Sequence, residues 1–396
     1  MILSNTSIVK LLTMGMFLTF SVTVKAQQNK EEEKPQVKIG GALRYNYNLS
    51  SWKDGQKKRG GDFGFDLFRI NANAKYKKLK LNAEYRLYSQ GFGGGMLKQG
   101  WVGYDFNEKD NLQIGLTQVP FGNTTYNSHN WFFNIDFYTG MEDDHDMGVK
   151  FTHKSEKWDY AIAFFKNAEE LNFGSNSDID DSRYSYDVAS IDIDGDGNLD
   201  LRNKEVNQLN AQLNYKFGED VKHNLGVSLQ YGGLYNLDTE NMGNHYAAAV
   251  HYTLKSGNFD AKAQVSTYEY NPENPVGQTK DVVGMTAFGA PYLIASKANN
   301  YTVGAAYSIP VNWAPISNIQ IYNDFGYTDK DNKNFEDSMM NVTGMLITAG
   351  NIYTYIDYAM GKNHPWLGDV WTNALGSGTP NADWHARFNI NIGYYF

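Results

Sequence analysis

The 396-residue chain contains no cysteine, which excludes a disulfide-stapled fold and a lipid anchor on an N-terminal cysteine. Long apolar runs are also missing beyond the extreme N-terminus, and a mean hydropathy of -0.53 excludes a bundle of membrane-spanning helices. Basic residues number 35 against 44 acidic ones, which argues against nucleic acid as a partner. Proline is scarce, whereas 38 glycines and an aromatic share of 15% are typical of a β-barrel.

The one apolar run near membrane length covers residues 11–24. It follows Lys10 and ends at Val24-Lys25-Ala26, so we predict that residues 1–26 are a cleaved secretory signal peptide. The alternative is a membrane anchor, for which the run is too short. Cleavage takes the formal net charge from -9 to -11, and such an acidic surface favours contact with divalent cations. Residues 27–35 carry no hydrophobic pattern and are predicted to form a short periplasmic leader.

The C-terminal thirteen residues alternate strictly between two faces. One face is apolar and consists of Trp384, Ala386, Phe388, Ile390, Ile392, Tyr394 and Phe396. The other is polar and consists of His385, Arg387, Asn389 and Asn391. Aromatic residues at both ends of the apolar face predict rings at two lipid–water boundaries, with the polar face towards a wet lumen. The pattern therefore predicts a transmembrane β-strand.

Similar segments of about ten residues recur from residue 37 onward, the length of a tilted transmembrane strand. Their apolar positions repeat every two residues, which excludes a helical interpretation. Short connections alternate with long ones along the chain. Residues 36–396 are therefore predicted to form an all-β, antiparallel transmembrane barrel of about 16 strands with short periplasmic turns and long extracellular loops. A barrel of that size is wide enough to hold an aqueous channel.

The third long loop, residues 121–144, is too apolar to remain in water. We expect it to fold into the lumen and to form a pore constriction. Such a constriction would set the selectivity, because the selectivity of a channel depends on the pore diameter and on the groups that line the pore. The predicted constriction residues are Phe121, Trp131, Phe132, Phe133, Asp136, Phe137 and Tyr138. The alternative is that these aromatic residues extend the outer girdle or cover the barrel rim.

Charged residues of both signs fall on the predicted lumen face. The predicted lumen-lining residues are Lys80, Glu84, Arg86, Lys150, Lys216, Lys262, Asp324, Asp357, His385 and Arg387. A pore that selects anions needs uncompensated positive charge along its path, so this mixture predicts a weak ion preference or none. For any single residue, the alternative is a wall charge paired with a neighbour.

A family resemblance lies in residues 98–122, where Gly103-Tyr104 is followed by Leu112-Gln-Ile-Gly-Leu-Thr-Gln-Val-Pro-Phe-Gly122. This run resembles the phosphate-selective porin O and P family and related outer-membrane porins of the Bacteroidetes. The resemblance implies a 16-stranded, commonly trimeric barrel with an inward-folded third loop, and anions such as phosphate among its solutes. In that family Gln and Lys usually stand where this chain has Leu116 and Gln118.

The fourth long loop contains a calcium-binding pattern. Its predicted ligands are Asp192, Asp194, Asp196, Asn198 and Asp200. Oxygen ligands at alternate positions, with Gly197 allowing a sharp turn, match the first nine positions of a calcium-binding loop. Position twelve is Asn203 instead of Glu, so a weak, loop-ordering Ca²⁺ site is expected. The alternative is a solvated acidic loop.

Motifs for catalysis are missing, since no histidines have metal-ligand spacing and no Ser or Cys lies in a nucleophile elbow. We therefore expect no enzymatic activity and no required cofactor. The leading hypothesis is a porin in the outer membrane of a Gram-negative bacterium, where lipid and lipopolysaccharide surround it. Small hydrophilic solutes are expected to diffuse passively through this porin. A second hypothesis is an adhesion or assembly platform that acts through its long acidic loops. A third is an embedded hydrolase.

Overall fold

The computed structural model describes residues 34–169, 182–193 and 199–396. The predicted signal peptide and nearly all of the predicted leader lie outside these residues, as do Asp194, Asp196 and Asn198 of the calcium pattern. Residues 35–396 form a compact unit. Among the described residues, no helix is both long and apolar enough to cross a membrane.

Sixteen of the described strands close into one antiparallel barrel. In chain order they are β1 (Gln36–Ser50), β2 (Asp62–Tyr76), β3 (Leu79–Leu87), β4 (Gly95–Asp105), β5 (Asp110–Gln118), β6 (His145–Lys154), β7 (Trp158–Ala168), β9 (Asn203–Phe217), β10 (Val221–Asn236), β11 (Met242–Ser256), β12 (Phe259–Asn271), β15 (Lys297–Trp313), β16 (Ile316–Lys330), β17 (Ser338–Ala349), β18 (Ile352–Lys362) and β19 (His385–Tyr395). A separate sheet contains β8 (Asp187–Val188), β13 (Val282–Thr286) and β14 (Tyr292–Ala295). The described helical segments are α1 (Asp54–Arg59) and the 3-10 turns Gln90–Phe92, Phe137–Thr139 and Pro365–Leu367.

The barrel closes where β1 pairs with β19, in a register that sets Ala42 opposite Tyr395. Short turns such as residues 77–78 and 257–258 lie at one end, and long connections such as residues 119–144 and 272–296 lie at the other. We refer to these as the short-turn end and the long-loop end. The predicted number of strands and the predicted alternation of short and long connections are confirmed.

The two faces of the strands differ as the alternation predicts. Leu229 at the middle of β10 is 61% exposed on the outside, whereas Asn389 and Asn391 of β19 are buried on the inside. Phe396, at the end of the apolar face, is 57% exposed. Exposed apolar side chains continue around the barrel. Together they form a far larger apolar patch than soluble monomers tolerate. The outer face is therefore suited to lipid.

The long connections fold back towards the lumen at the long-loop end. Strands β8, β13 and β14, which we call the lid sheet, pack against the third long connection and against residues near Trp366. Tyr292 in the lid sheet donates a hydrogen bond of 2.7 Å to the carbonyl oxygen of Tyr138. Inward-facing wall residues such as Phe165 and Met340 belong to the same apolar cluster. The barrel mouth is thus packed with loop side chains.

Candidate functional site

The candidate site is the lumen, and its main internal element is residues 121–144, which we call the inner loop. At its start, Gly122 has a φ of 63°, and a Cβ there would lie 2.3 Å from Oε1 of Gln264. The Gly122 amide donates to Oγ of Ser228 at 3.1 Å, and its carbonyl accepts from Gln212 at 2.8 Å. Only glycine suits this approach, which explains the glycine of the Pro-Phe-Gly sequence. The predicted folding of the loop into the lumen is confirmed.

Asp136 is the main polar anchor of the inner loop. Its side chain is fully buried, and it accepts hydrogen bonds of 2.9 to 3.3 Å. The donors are Asn127 in the loop and Gln264, Ser266, Asn300 and Thr302 on the wall. Burial raises the pKa of Asp136 to about 6, although these hydrogen bonds act to lower it. The carboxylate therefore fixes the loop to β12 and β15.

His129 provides a second anchor between the inner loop and the wall. Its ring nitrogens lie 2.8 Å from Oδ1 of Asp260 and 2.8 Å from Oδ1 of Asp324. Burial acts to lower the pKa of His129, but the hydrogen bonds to both carboxylates raise it above its ordinary value. The backbone amide of His129 also donates to Asp324 at 2.8 Å. These contacts hold the loop against β12 and β16.

The predicted constriction residues lie in the barrel interior, and most of them are buried. Phe121, Phe132, Asp136, Phe137 and Tyr138 are buried, and Trp131 and Phe133 are half-buried. The rings of Phe133 and Phe137 stack at 4.0 Å. Apolar rings gain more by packing on one another and on the lid sheet than by facing water. Their effect on solute size stays a prediction.

Opposite these anchors, the wall formed by β1 to β4 carries charged and polar side chains. We call this surface the charged wall, and its charged residues are Arg44, Asp66, Arg69, Glu84, Arg86 and Lys98. Asn71 and Gln99 lie half-buried beside them. Tyr126 of the inner loop lies next to the charged wall and is 39% exposed. The hydroxyl of Tyr126 lies 3.3 Å from Nζ of Lys98, which places this loop segment beside the wall.

Three close ion pairs balance most of the charge on this wall. Arg44 pairs with Asp66 at 2.8 Å, Arg86 with Glu84 at 2.6 Å, and Lys98 with Asp143 of the inner loop at 2.6 Å. Arg69 lies only within 3.8 Å of Glu84, which Arg86 already holds more closely. Nε of Arg69 has no hydrogen-bond partner among the described residues. Arg69 therefore supplies the surplus positive charge of the charged wall.

The predicted lumen-lining residues all lie on the inner face, but their surroundings differ. Lys80, Lys216 and Glu84 are partly exposed, whereas Arg86 and Lys150 are nearly buried. Lys80 and Lys150 border a cavity of about 520 Å³ at the short-turn end, beneath the start of the inner loop.

The remaining predicted lumen-lining residues contact loops. Lys262 donates to the carbonyl of Ser128 at 2.9 Å, and His385 lies 3.0 Å from Asp369. The guanidinium of Arg387 lies 5.9 Å from the ring centre of Phe132. Asp324 and Asp357 are buried, so the expectation that they line water is wrong. Asp324 instead holds His129, and Asp357 accepts a hydrogen bond of 2.6 Å from Tyr322.

Sequence reasoning missed a group of buried carboxylates where the inner loop rejoins β6. Asp144, Asp146 and Asp187 each place an oxygen within 4.8 Å of the others. The acidic run Glu142-Asp143-Asp144-His145-Asp146 was the signal that could have indicated it. Asp192 and Asp200 of the predicted calcium pattern lie elsewhere in the fourth loop, and Asp200 accepts a hydrogen bond from the amide of Ile193 at 3.2 Å.

Several solved outer-membrane proteins share this architecture. The anion-selective porin from Comamonas acidovorans is 11% identical, with 92% of this chain and 100% of that chain covered at a TM-score of 0.58. The outer membrane channel DcaP of Acinetobacter baumannii is 12% identical, with 94% and 100% covered at a TM-score of 0.57. The trimer form of OmpT, an outer membrane protein of Vibrio cholerae, is 13% identical, with 91% and 99% covered at a TM-score of 0.55.

The chain has a porin fold. No protein-family model matches the chain, and neither does any curated protein sequence. Identities this low establish the porin fold alone.

Proposed function

We propose that this protein is an outer-membrane porin through which small hydrophilic solutes diffuse passively. The supporting observation is that the inner loop is fixed to β12, β15 and β16, while the opposite charged wall keeps partly exposed polar side chains. Water-accessible polar groups along one side of a lumen, inside an apolar exterior, suit the passage of hydrated solutes. The lid sheet and the inner loop then limit solute size.

We further propose a weak preference for anions over cations. The support comes from the surplus charge of Arg69, because the neighbouring Arg44, Arg86 and Lys98 each have a close carboxylate partner. A single uncompensated guanidinium attracts anions, but at distances of several Å in a wet lumen its effect is modest. A strict phosphate specificity needs a denser group of bases, so we propose general anion passage, phosphate included.

Replacing Arg69 with Gln tests this preference. The variant is expected to lower the chloride-to-potassium permeability ratio about two-fold, because one unit charge several Å from the ion path contributes about 0.5 kcal/mol in a wet lumen. The measurement is the reversal potential of the purified protein in a planar bilayer under a KCl gradient. Single-channel conductance is expected to stay similar, since Gln fills most of the volume of Arg.

Arg59→Gln is the matched control, because Arg59 lies in α1 on an exposed loop and pairs there with Asp62. Its reversal potential is expected to equal that of the wild type. An unchanged potential in Arg69→Gln, or an equal change in both variants, would contradict the assignment of anion preference to the charged wall.

We propose a homotrimer in the outer membrane, in contact with lipid and lipopolysaccharide. The support is the exposed apolar exterior of the barrel and the trimer form described for OmpT of Vibrio cholerae. Light scattering on the detergent-solubilised protein tests the assembly state, and a monomer mass would contradict it.

A further inference from the structure

Five carboxylates are buried together where the inner loop and the wall meet the fourth long connection, which joins β7 to β9. They belong to Asp144, Asp146, Glu169, Asp187 and Glu205, each less than a tenth exposed. Asp144, Asp146 and Asp187 form the centre, with oxygens within 4.8 Å of one another. Glu169 and Glu205 lie close enough to interact electrostatically with this centre. We call the five residues the acidic cluster.

Within the part of the chain that the structure describes, the positive charge near the acidic cluster is insufficient to balance it. Nη1 of Arg183 lies 3.4 Å from Oδ2 of Asp187, and its charge also acts on Asp146, Glu169 and Glu205. One guanidinium cannot neutralise five buried carboxylates, and an uncompensated buried carboxylate is strongly unfavourable. The cluster therefore requires a further cation or bound protons.

Several oxygens of the acidic cluster have no hydrogen-bond donor. Among the described residues, Oδ1 of Asp144, Oδ1 of Asp146 and Oε2 of Glu169 are buried without a partner. Buried polar atoms are rarely left without one, so a group of such acceptors indicates a missing positive partner.

Two neighbouring hydroxyl side chains supply an independent observation. Thr117 and Thr286 are fully buried, and their hydroxyl oxygens also lack partners among the described residues. Thr117 lies directly opposite Asp146 on paired strands, and Thr286 lies directly opposite Asp187. Opposite residues on antiparallel strands share a face, with Cβ atoms about 5 Å apart. The unpartnered hydroxyls are therefore directed to the same side as the carboxylates.

We propose that the acidic cluster binds a Ca²⁺ ion through Asp144, Asp146 and Asp187. Two oxygens that bind one Ca²⁺ at about 2.4 Å are at most about 4.8 Å apart, and the oxygens of these three residues lie within 4.8 Å of one another. The candidate ligands are all oxygen atoms, as hard divalent cations prefer, and Ca²⁺ accepts six to eight of them in flexible geometry. Mg²⁺ suits the site less well because it usually retains several waters, for which a buried cluster leaves little space.

An ion at this position would join three parts of the protein. Asp144 ends the inner loop, Asp187 belongs to the lid sheet, and Asp146 lies on the wall strand β6. Bound Ca²⁺ would therefore hold the lid sheet and the inner loop to the barrel. This site is distinct from the predicted pattern between Asp192 and Asp200.

The test compares the full-length protein with two double variants in detergent. Asp144→Asn with Asp187→Asn removes two central ligands, and Asp194→Asn with Asp196→Asn removes two oxygens of the predicted calcium pattern. Equilibrium dialysis with ⁴⁵Ca²⁺ measures binding, and thermal unfolding is measured after chelation and in about 1 mM CaCl₂. We expect the wild type and the Asp194/Asp196 variant to bind one Ca²⁺ at this site, with a Tm at least about 3 °C higher in calcium.

The Asp144/Asp187 variant is expected to lose that binding and the calcium-dependent rise in Tm. If the cluster instead shares bound protons, the Asp144/Asp187 variant relieves repulsion and melts at a higher temperature than the chelated wild type. Calcium then changes the Tm of neither protein. That result would overturn the proposal. Loss of all binding in the Asp194/Asp196 variant would also overturn it. Asn is close in size to Asp, so retained tryptophan fluorescence establishes that both variants are folded.

Discussion

Substitution of Asp136 with Ala is expected to lower the free energy of unfolding by about 3 kcal/mol and to release the inner loop from the wall. The variant leaves donors of Gln264, Asn300 and Thr302 buried without their acceptor, and such losses are among the most destabilising single changes. A released loop no longer limits the lumen, so single-channel conductance is expected to rise and to become variable. Urea unfolding and planar-bilayer recordings measure the two effects.

Asp331→Ala is the matched control for Asp136→Ala. Its carboxylate is 58% exposed and its ion pair with Lys297 is 3.9 Å long, so a change below about 0.5 kcal/mol is expected. Burial raises the pKa of Asp136 from 3.8 to about 6 in the folded protein, so the part of its stabilising effect that depends on protonation is complete below pH 3.8 and is lost as pH rises through 6. The wild type should therefore gain stability from pH 7 to pH 5 relative to Asp136→Ala. Equal stability of the wild type and Asp136→Ala would contradict the role of Asp136 as an anchor.

Substitution of Tyr186 with Ala is expected to detach the lid sheet from the inner loop. The ring of Tyr186 is buried and lies 5.5 Å from that of Phe137 and 5.0 Å from that of Tyr292, and its hydroxyl accepts a hydrogen bond of 2.6 Å from Trp366. Truncation of a buried aromatic ring costs about 3 to 5 kcal/mol. Limited proteolysis of the folded protein should show faster cleavage in the long connections, and conductance should increase.

Tyr186→Phe is the conservative counterpart, because it keeps the ring and removes the hydroxyl that accepts the hydrogen bond from Trp366. A loss of about 1 kcal/mol is expected, with cleavage close to the wild-type rate. If Tyr186→Ala were as resistant to protease as Tyr186→Phe, packing of the lid sheet on the inner loop would not be what narrows the barrel mouth.

The barrel could be predicted from the sequence because the alternation of apolar and polar residues is local. Each strand shows its two faces within about ten residues, and Leu229 and Phe396 are exposed as their positions require. Entry of the inner loop into the lumen was also predictable, since a run such as Trp131 to Tyr138 needs an apolar environment.

The interior arrangement was not predictable, because it depends on contacts between distant segments without periodic patterns. Asp136 meets Gln264 and Asn300, which are 128 and 164 positions away along the chain. Asp324 and Asp357 lie on the predicted face, but the inner loop and a tyrosine hydroxyl occupy the space expected to hold water. The acidic cluster draws on residues from Asp144 to Glu205, and only its first two members are neighbours in sequence.

Single-channel recording of the purified wild-type protein in planar bilayers tests the central claim most directly, that a water-filled path runs between the charged wall and the inner loop. Discrete conductance steps are expected, with a reversal potential in a KCl gradient displaced towards that of chloride. A protein that inserts and stays folded but produces no steps would contradict the proposed function, because the lumen would then be closed by the inner loop and the lid sheet.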